Sequence, residues 1–343
     1  MITFQTKIIL LGVFIAHSLF AADPPRGSVV CWGYVNWDSE APSSLRFVTV
    51  AGEHVTNAIS IAAGDGHGLA LRSDGTVVGF GFDGYGQTIG TSSSHSDMAD
   101  GIVKINGEVL SNVVAIAAGG NHSLALRRDG TVIGWGSHVV PTGLSNIAAI
   151  ATGYVYSMGV RRDGTVLSLG GGDMAGWRAY PDHREGDYVS IFEGTGNSKA
   201  IEGLSNAVLL AIAVDASAGN LALKRDGTVV QISNDDKLTG RELLTNAIAI
   251  CGGRDGLALK RDGTVVGWGA AADVPAGLSN VVAIAGGPRH NLALKKDGTV
   301  TMWGGYRVNQ LAAPPGLRNV EAIAVGMNFF LAITNNTTLA TNR

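Results

Sequence analysis

Apolar residues along this chain come in short runs that return with the same neighbours. An Ala-Ile-Ala run followed by glycine leads into Leu-Ala-Leu, then Asp-Gly-Thr, then a second apolar run ending in Gly-Trp-Gly. The stretch AIAAGGNHSLALRRDGTVIGWG, residues 115–136, shows the whole unit. Asp-Gly-Thr begins at Asp74, Asp129, Asp163, Asp226, Asp262 and Asp297, at intervals of 55, 34, 63, 36 and 35 residues. The base period is therefore about 35 residues, with insertions lengthening two intervals. Ala-Ile-Ala-like runs near Ala58, Ala115, Ala149, Ala211, Ala249, Ala283 and Ala322 bring the number of units to seven.

Each unit predicts β structure. Ala-Ile-Ala reads as a short buried strand whose small side chains suit a crowded interior. His-Ser-Leu-Ala-Leu and Thr-Val-Ile-Gly-Trp-Gly read as a hairpin. Its turn is the recurring pair Asp74-Gly75, Asp129-Gly130, Asp163-Gly164, Asp226-Gly227, Asp262-Gly263 and Asp297-Gly298, where positive φ suits Gly and is tolerated by Asp. Trp32, Phe80, Trp135, Trp268 and Trp303 share one register position and are expected to pack between neighbouring sheets. At the N-terminal end, residues 27–33 form a second half-unit with no first half before it; residues 322–334 form a first half. Together they complete one blade. The expectation is an all-β, seven-bladed β-propeller, a single domain over 23–343 closed by its two half-repeats, which leaves no open ring edge.

The motif Ala-Gly-Gly-Asn-His-Ser-Leu-Ala-Leu-Arg-Arg-Asp-Gly-Thr-Val-Ile-Gly-Trp-Gly resembles the regulator of chromosome condensation repeat. Phe82-Asp83-Gly84-Tyr85-Gly86-Gln87 is similar to that family's Gly-x-Asn-x-x-Gly-Gln segment. The likeness runs from Gly27 to Thr334 and implies the propeller fold; a propeller hosts many activities, so it implies little about function. The short period and the N-terminus look most like exported bacterial members, a group that includes a propeller-type inhibitor of secreted β-lactamases.

Composition adds limits. Gly is abundant at 49 of 343 residues and Pro scarce at 9, as expected for tight turns between short strands. Net charge is −3 and no long basic run occurs, which argues against a nucleic-acid partner. Residues 1–22, with Lys7 ahead of an apolar stretch from Ile8 to Phe20, have the layout of a signal peptide. The expectation is a secreted or periplasmic monomer with no membrane contact beyond that leader. Cys31 and Cys251 fall in non-adjacent blades, so they are expected to stay unpaired.

Function is sought where the repeat is interrupted. Insertions at 34–57, 82–112 and 171–206, and a shorter one at 305–319, all follow the Gly-Trp-Gly strand and should leave one face. They carry the interface candidates Tyr34, Trp37, Phe82, Tyr85, Trp177, Arg178, Tyr180, Tyr306 and Arg307. His67, His122 and His290 share one repeat position; other units have Tyr156, Asp255 and Phe329 there, which suits no metal ring. Buried histidines satisfied by backbone hydrogen bonds are expected instead. No cofactor, metal or nucleophile–base motif is found, so a non-catalytic protein binder is the leading expectation. An inhibitor of a secreted enzyme is the sharper version of it. A polysaccharide binder or carbohydrate-active enzyme using Asp173, Asp182, Glu185 or Glu193 is the alternative.

Overall fold

The computed structural model describes residues 27–33, 45–90, 98–137, 140, 144–154, 156–171, 199–200, 204–211, 220–232, 238–253, 256–268, 273–304 and 313–336. They form seven small antiparallel sheets, the blades, and two separate two-stranded hairpins. In each blade the Ala-Ile-Ala strand is innermost, the Leu-Ala-Leu strand pairs with it, and the strand after Asp-Gly-Thr comes third. Blade 1 contains Ala58–Ala63, His67–Arg72, Val77–Phe82 and an outer strand Met98–Ile102. Blade 2 has inner strand Val113–Ala118, blade 3 Ile147–Thr152, blade 4 Ala207–Ala211, blade 5 Ala247–Cys251 and blade 6 Val281–Gly286.

Blade 7 is shared by both ends of the chain. Its inner pair is Val320–Val325 and Phe329–Thr334; its third strand is Ser28–Gly33, running antiparallel with Ser28 opposite Thr334 and Gly33 opposite Phe329. Inner strands follow one another around the ring, and that of blade 7 packs against that of blade 1. Residues from all seven line one central channel. The structure is thus a seven-bladed propeller.

Packing between blades follows from the alternation Leu-Ala-Leu. In a strand, successive side chains face opposite ways, so Leu69 and Leu71 point to blade 2 while Ala70 points to blade 7. Inner strands have the reverse polarity: Ile116 meets blade 1, and Ala115 and Ala117 meet blade 3. Each interface therefore sets leucines on one sheet against an isoleucine and an alanine on the next. The shared aromatic position is largely buried, with Trp32, Phe80, Trp135 and Trp303 all 6% exposed or less and Trp268 half-buried. Trp32 stacks on Phe330 at 5.4 Å.

The Asp-Gly-Thr turns differ from the expected hairpin in one respect. Only glycine takes positive φ, between 77° and 87°; the aspartates do not. Gly75 N–H donates to the Arg72 carbonyl, which makes a type I turn closed by a left-handed glycine. The aspartate's role is to accept: Asp74 Oδ1 takes the Thr76 N–H at 2.8 Å and its hydroxyl at 2.6 Å. These bonds hold the Asp carboxyls of all six turns below the usual range.

A residue the sequence reading passed over completes the turn. One asparagine precedes each inner strand: Asn57, Asn112, Asn146, Asn206, Asn246, Asn280 and Asn319, all with φ between 50° and 64°. Asparagine tolerates this left-handed conformation better than most side chains. The bend lets the next N–H reach back to the preceding blade, as Val113 N–H does to Gly75 O at 3.1 Å and Ile147 N–H to Gly130 O at 3.1 Å.

The regions between units also hold more regular structure than the sequence suggested. Arg46–Phe47, Met98–Ile102 and Lys199–Ala200 are fourth, outer strands of blades 7, 1 and 3. Thr49–Val50 with Glu53–His54, and Lys104–Ile105 with Glu108–Val109, form the two hairpins. Part of each long insertion is therefore blade.

The turn contact predicts a graded response to alanine. A Cβ on Gly164 (φ +86°) lies 2.7 Å from the Asn206 backbone, whereas one on Gly107 (φ +85°) meets nothing within 4 Å. Gly107→Ala should cost about 1 kcal/mol from backbone strain alone, and Gly164→Ala at least about 2 kcal/mol more. Urea unfolding of the two variants checks the difference.

Candidate loop-face binding site

Strand polarity decides where the site lies. Inner and third strands run parallel to each other, since both are antiparallel to the middle strand. The third strands therefore end on the face where the inner strands end, opposite the Asp-Gly-Thr turns. Gly33, Phe82, Gly171 and Gly304, the ends from which the four insertions leave, all belong to this loop face. Phe82 N–H donates to Gly66 O at 2.8 Å, which ties the start of one insertion to the inner turn of its blade.

Of the nine interface candidates, Phe82 and Tyr85 are described. Tyr34, Trp37, Trp177, Arg178, Tyr180, Tyr306 and Arg307 lie outside the described residues, as do the carboxylates Asp173, Asp182, Glu185 and Glu193. Phe82 is half-buried beside Gly66 and Gly84, with Tyr85 edge-on at 6.5 Å. Tyr85 is 45% exposed.

The segment carrying them is braced from below. Asp83, Gln87 and Thr88 are fully buried. Asp83 Oδ1 accepts the Thr88 N–H at 2.6 Å, Gln87 Oε1 accepts the Tyr85 N–H at 2.9 Å, and the Thr88 hydroxyl donates to Phe82 O at 2.6 Å. Tyr85 is thus presented on a fixed turn.

That turn docks on blade 2 through the histidine position. His67 Nε2 lies 2.8 Å from Ser123 Oγ, and Ser123 Oγ donates to Gln87 O at 2.8 Å. With its hydrogen so used, the Ser123 hydroxyl accepts from the imidazole. His122 repeats the contact with Ser157 at 2.9 Å, and the Tyr156 hydroxyl donates to Asn220 Oδ1 at 2.5 Å. His290 instead stands edge-on to Phe330 at 5.4 Å. The partners are side chains of the next blade, not the backbone groups the sequence suggested. Within these strands the backbone groups are already used in their own ladders, so the contact between blades at this position is made by side chains.

The channel opens among these turns with a cavity volume of about 80 Å³, walled largely by Gly and Ala. Asp65 and Tyr154 are its polar side chains of note, and Cys251 is buried in its wall with its thiol pushed up by burial. Burial raises the Asp65 carboxyl to about 6, against the opposing pull of the Arg289 guanidinium. Neither Cys31 nor Cys251 forms a disulfide. Among the described residues no group of His, Cys, Asp or Glu could hold a metal ion.

Sequence and structure together define a propeller of a particular repeat. The regulator of chromosome condensation (RCC1) repeat matches residues 58–87 and 113–139, the first three strands of blades 1 and 2. Saccharomyces cerevisiae Prp20p is similar in fold, with a TM-score of 0.64 at 16% identity over 91% of this chain and 92% of its own. Human WBSCR16 gives 0.61 at 16% identity, covering 91% and 100%. The ectodomain of the Arabidopsis thaliana receptor kinase ACR4 gives 0.55 at 16% identity, covering 81% and 92%. No curated protein sequence matches the chain.

Two buried groups give stability a pH signature. Burial lowers His67 to about 3, so only the unfolded chain takes its proton as pH falls below 6.5, and stability drops toward pH 3. Asp65 has the opposite sign: its folded pKa of about 6 exceeds 3.8, so stability drops as pH rises between these values. Asp65→Asn should therefore gain about 3 kcal/mol over wild type at pH 7 and nothing near pH 3.5. His67→Gln should shed about one proton from the acid slope. Urea midpoints between pH 3 and 7 read both.

Proposed function

We propose that this chain is an exported, non-catalytic propeller that binds another protein through its loop face. The RCC1-repeat propeller fold is compatible with a protein-binding scaffold, and the Prp20p structure is described together with that protein's binding to Gsp1p and histones. The observation that carries the reading is the origin of all four insertions on one face, with Tyr85 exposed there on a braced turn. Aromatic side chains held on rigid supports are the usual anchors of protein interfaces. The signal-peptide layout of residues 1–22 supports export. Inhibition of a secreted enzyme is the narrower form of the same reading, and it rests on the resemblance to exported bacterial members.

The test is a pull-down from the extracytoplasmic fraction with residues 23–343 as bait. Tyr85→Ala should weaken capture about tenfold, and Trp37→Ala/Trp177→Ala/Arg178→Ala more than that, as for loss of interface anchors. A partner held equally by all three baits would remove the site from this face. No protein captured, with glycan binding on an array, would favour the polysaccharide reading.

A further inference from the structure

The opposite face carries a feature that the binding reading does not use. Each Asp-Gly-Thr turn is preceded by two residues, and in blades 2 to 6 both are cationic: Arg127-Arg128, Arg161-Arg162, Lys224-Arg225, Lys260-Arg261 and Lys295-Lys296. Blade 1 has Arg72-Ser73, and blade 7 ends in Thr334-Asn335. Eleven of the 25 Lys and Arg lie in these turns but only six of the 28 Asp and Glu, so the turns carry +5 and the rest of the chain −8.

The two cations of a turn have different surroundings. The first is half-buried and faces its own aspartate, as Lys260 does Asp262 at 3.5 Å. The same electrostatic pairing joins Arg127 to Asp129, Arg161 to Asp163, Lys224 to Asp226 and Lys295 to Asp297. The second cation is exposed in every case: Arg128, Arg162, Arg225, Arg261 and Lys296. Its backbone N–H is fixed to the carbonyl of the left-handed asparagine, at 2.9 to 3.1 Å in these five blades. The five side chains therefore start from equivalent, immobilised positions on neighbouring blades of one ring.

We propose that this arc is a docking surface for an anionic lipid bilayer, with Arg128, Arg162, Arg225, Arg261 and Lys296 engaging headgroup phosphates. Ring symmetry puts the five at one height above the turn face, and a flat charged surface meets all of them at once. A linear polyanion would have to bend along the arc. The turns Arg-Ser-Asp-Gly-Thr, Arg-Arg-Asp-Gly-Thr, Lys-Arg-Asp-Gly-Thr and Lys-Lys-Asp-Gly-Thr contain no aromatic ring to stack on a base or sugar. Charge complementarity to a bilayer is what remains, and it revises the sequence-based expectation of no membrane contact beyond the leader. Contact would be electrostatic, reversible and weakened by salt. It leaves the loop face pointing away from the membrane, so the inference stands independently of the partner assigned to that face.

Sedimentation of the full chain with phosphatidylglycerol–phosphatidylcholine vesicles tests it, with pure phosphatidylcholine as the neutral arm. Any apolar contribution of the leader is common to both vesicle types and to all variants. Wild type should bind the anionic vesicles, and lose them on raising salt from ~0.05 to ~0.5 M. Arg128→Ser/Arg162→Ser/Arg225→Ser should weaken binding by about a hundredfold, taking each cation as worth about a fivefold change. Serine is tolerated at this position, as Ser73 shows. Ser73→Arg extends the arc to a sixth blade and should tighten binding about fivefold, a gain that misfolding cannot mimic. Equal binding by wild type and the triple variant overturns the proposal. So does binding to heparin in place of the vesicles, or no change with Ser73→Arg.

Discussion

Everything in this molecule rests on the one-way fit between neighbouring sheets. Leucines at 69 and 71 project toward the next blade and Ala70 toward the previous one, while inner strands reverse that order with Ile116 behind and Ala115 and Ala117 ahead. Large therefore meets small across each interface, with two complementary diagonals. Turning a sheet over would set leucine against leucine at one side and leave a void at the other, both costly in a close-packed interior. Small inner residues serve a second constraint, because seven inner strands converge on one axis. The last interface is built by both ends of the chain: Cys31 and Leu331 of blade 7 pack with Ile61 and Phe80 of blade 1.

From this packing comes the division of the molecule into two unlike faces. Turn glycines and asparagines bind neighbouring blades on one side, leaving little freedom for insertion. On the other, the bond from His67 to Ser123 and onward to Gln87 holds the base of the loops, while the loops themselves are free to vary in length. Variation without loss of fold is possible only where the backbone bonds between blades are already satisfied beneath it. The extra residues accordingly all leave from the same strand end.

Much of the architecture was legible because the repeat says the same thing seven times. The half-repeats at the two ends announced closure, and the shared tryptophan position announced its burial. Three things escaped. Asn112 and its equivalents look like ordinary turn punctuation, and nothing local reveals that they aim an N–H at the preceding blade. Met98–Ile102, with Asp100 and Gly101 inside it, has no strand pattern because an outer strand covers only one neighbour; Arg46–Phe47 is too short to show one. The His67–Ser123 contact joins residues 56 apart, which a repeat period cannot expose, since each side chain pairs with a different position of the next unit.

The basic arc escaped for a related reason, and it bears on how charge should be read in any repeat chain. Net charge is −3 and no run of basic residues exceeds two in the turns, so a linear reading finds nothing cationic. Charge along a sequence and charge on a surface coincide only when neighbours in sequence are neighbours in space. A period of about 35 residues, wound into a ring, breaks that link: Arg128, Arg162, Arg225, Arg261 and Lys296 span 169 positions of chain and sit on adjacent blades. The useful quantity is the charge at each position of the repeat, summed over its copies. By that measure the residue before Asp-Gly-Thr is the most consistently cationic exposed position in the protein, and the aspartate beside it is already engaged by its threonine and its other neighbour.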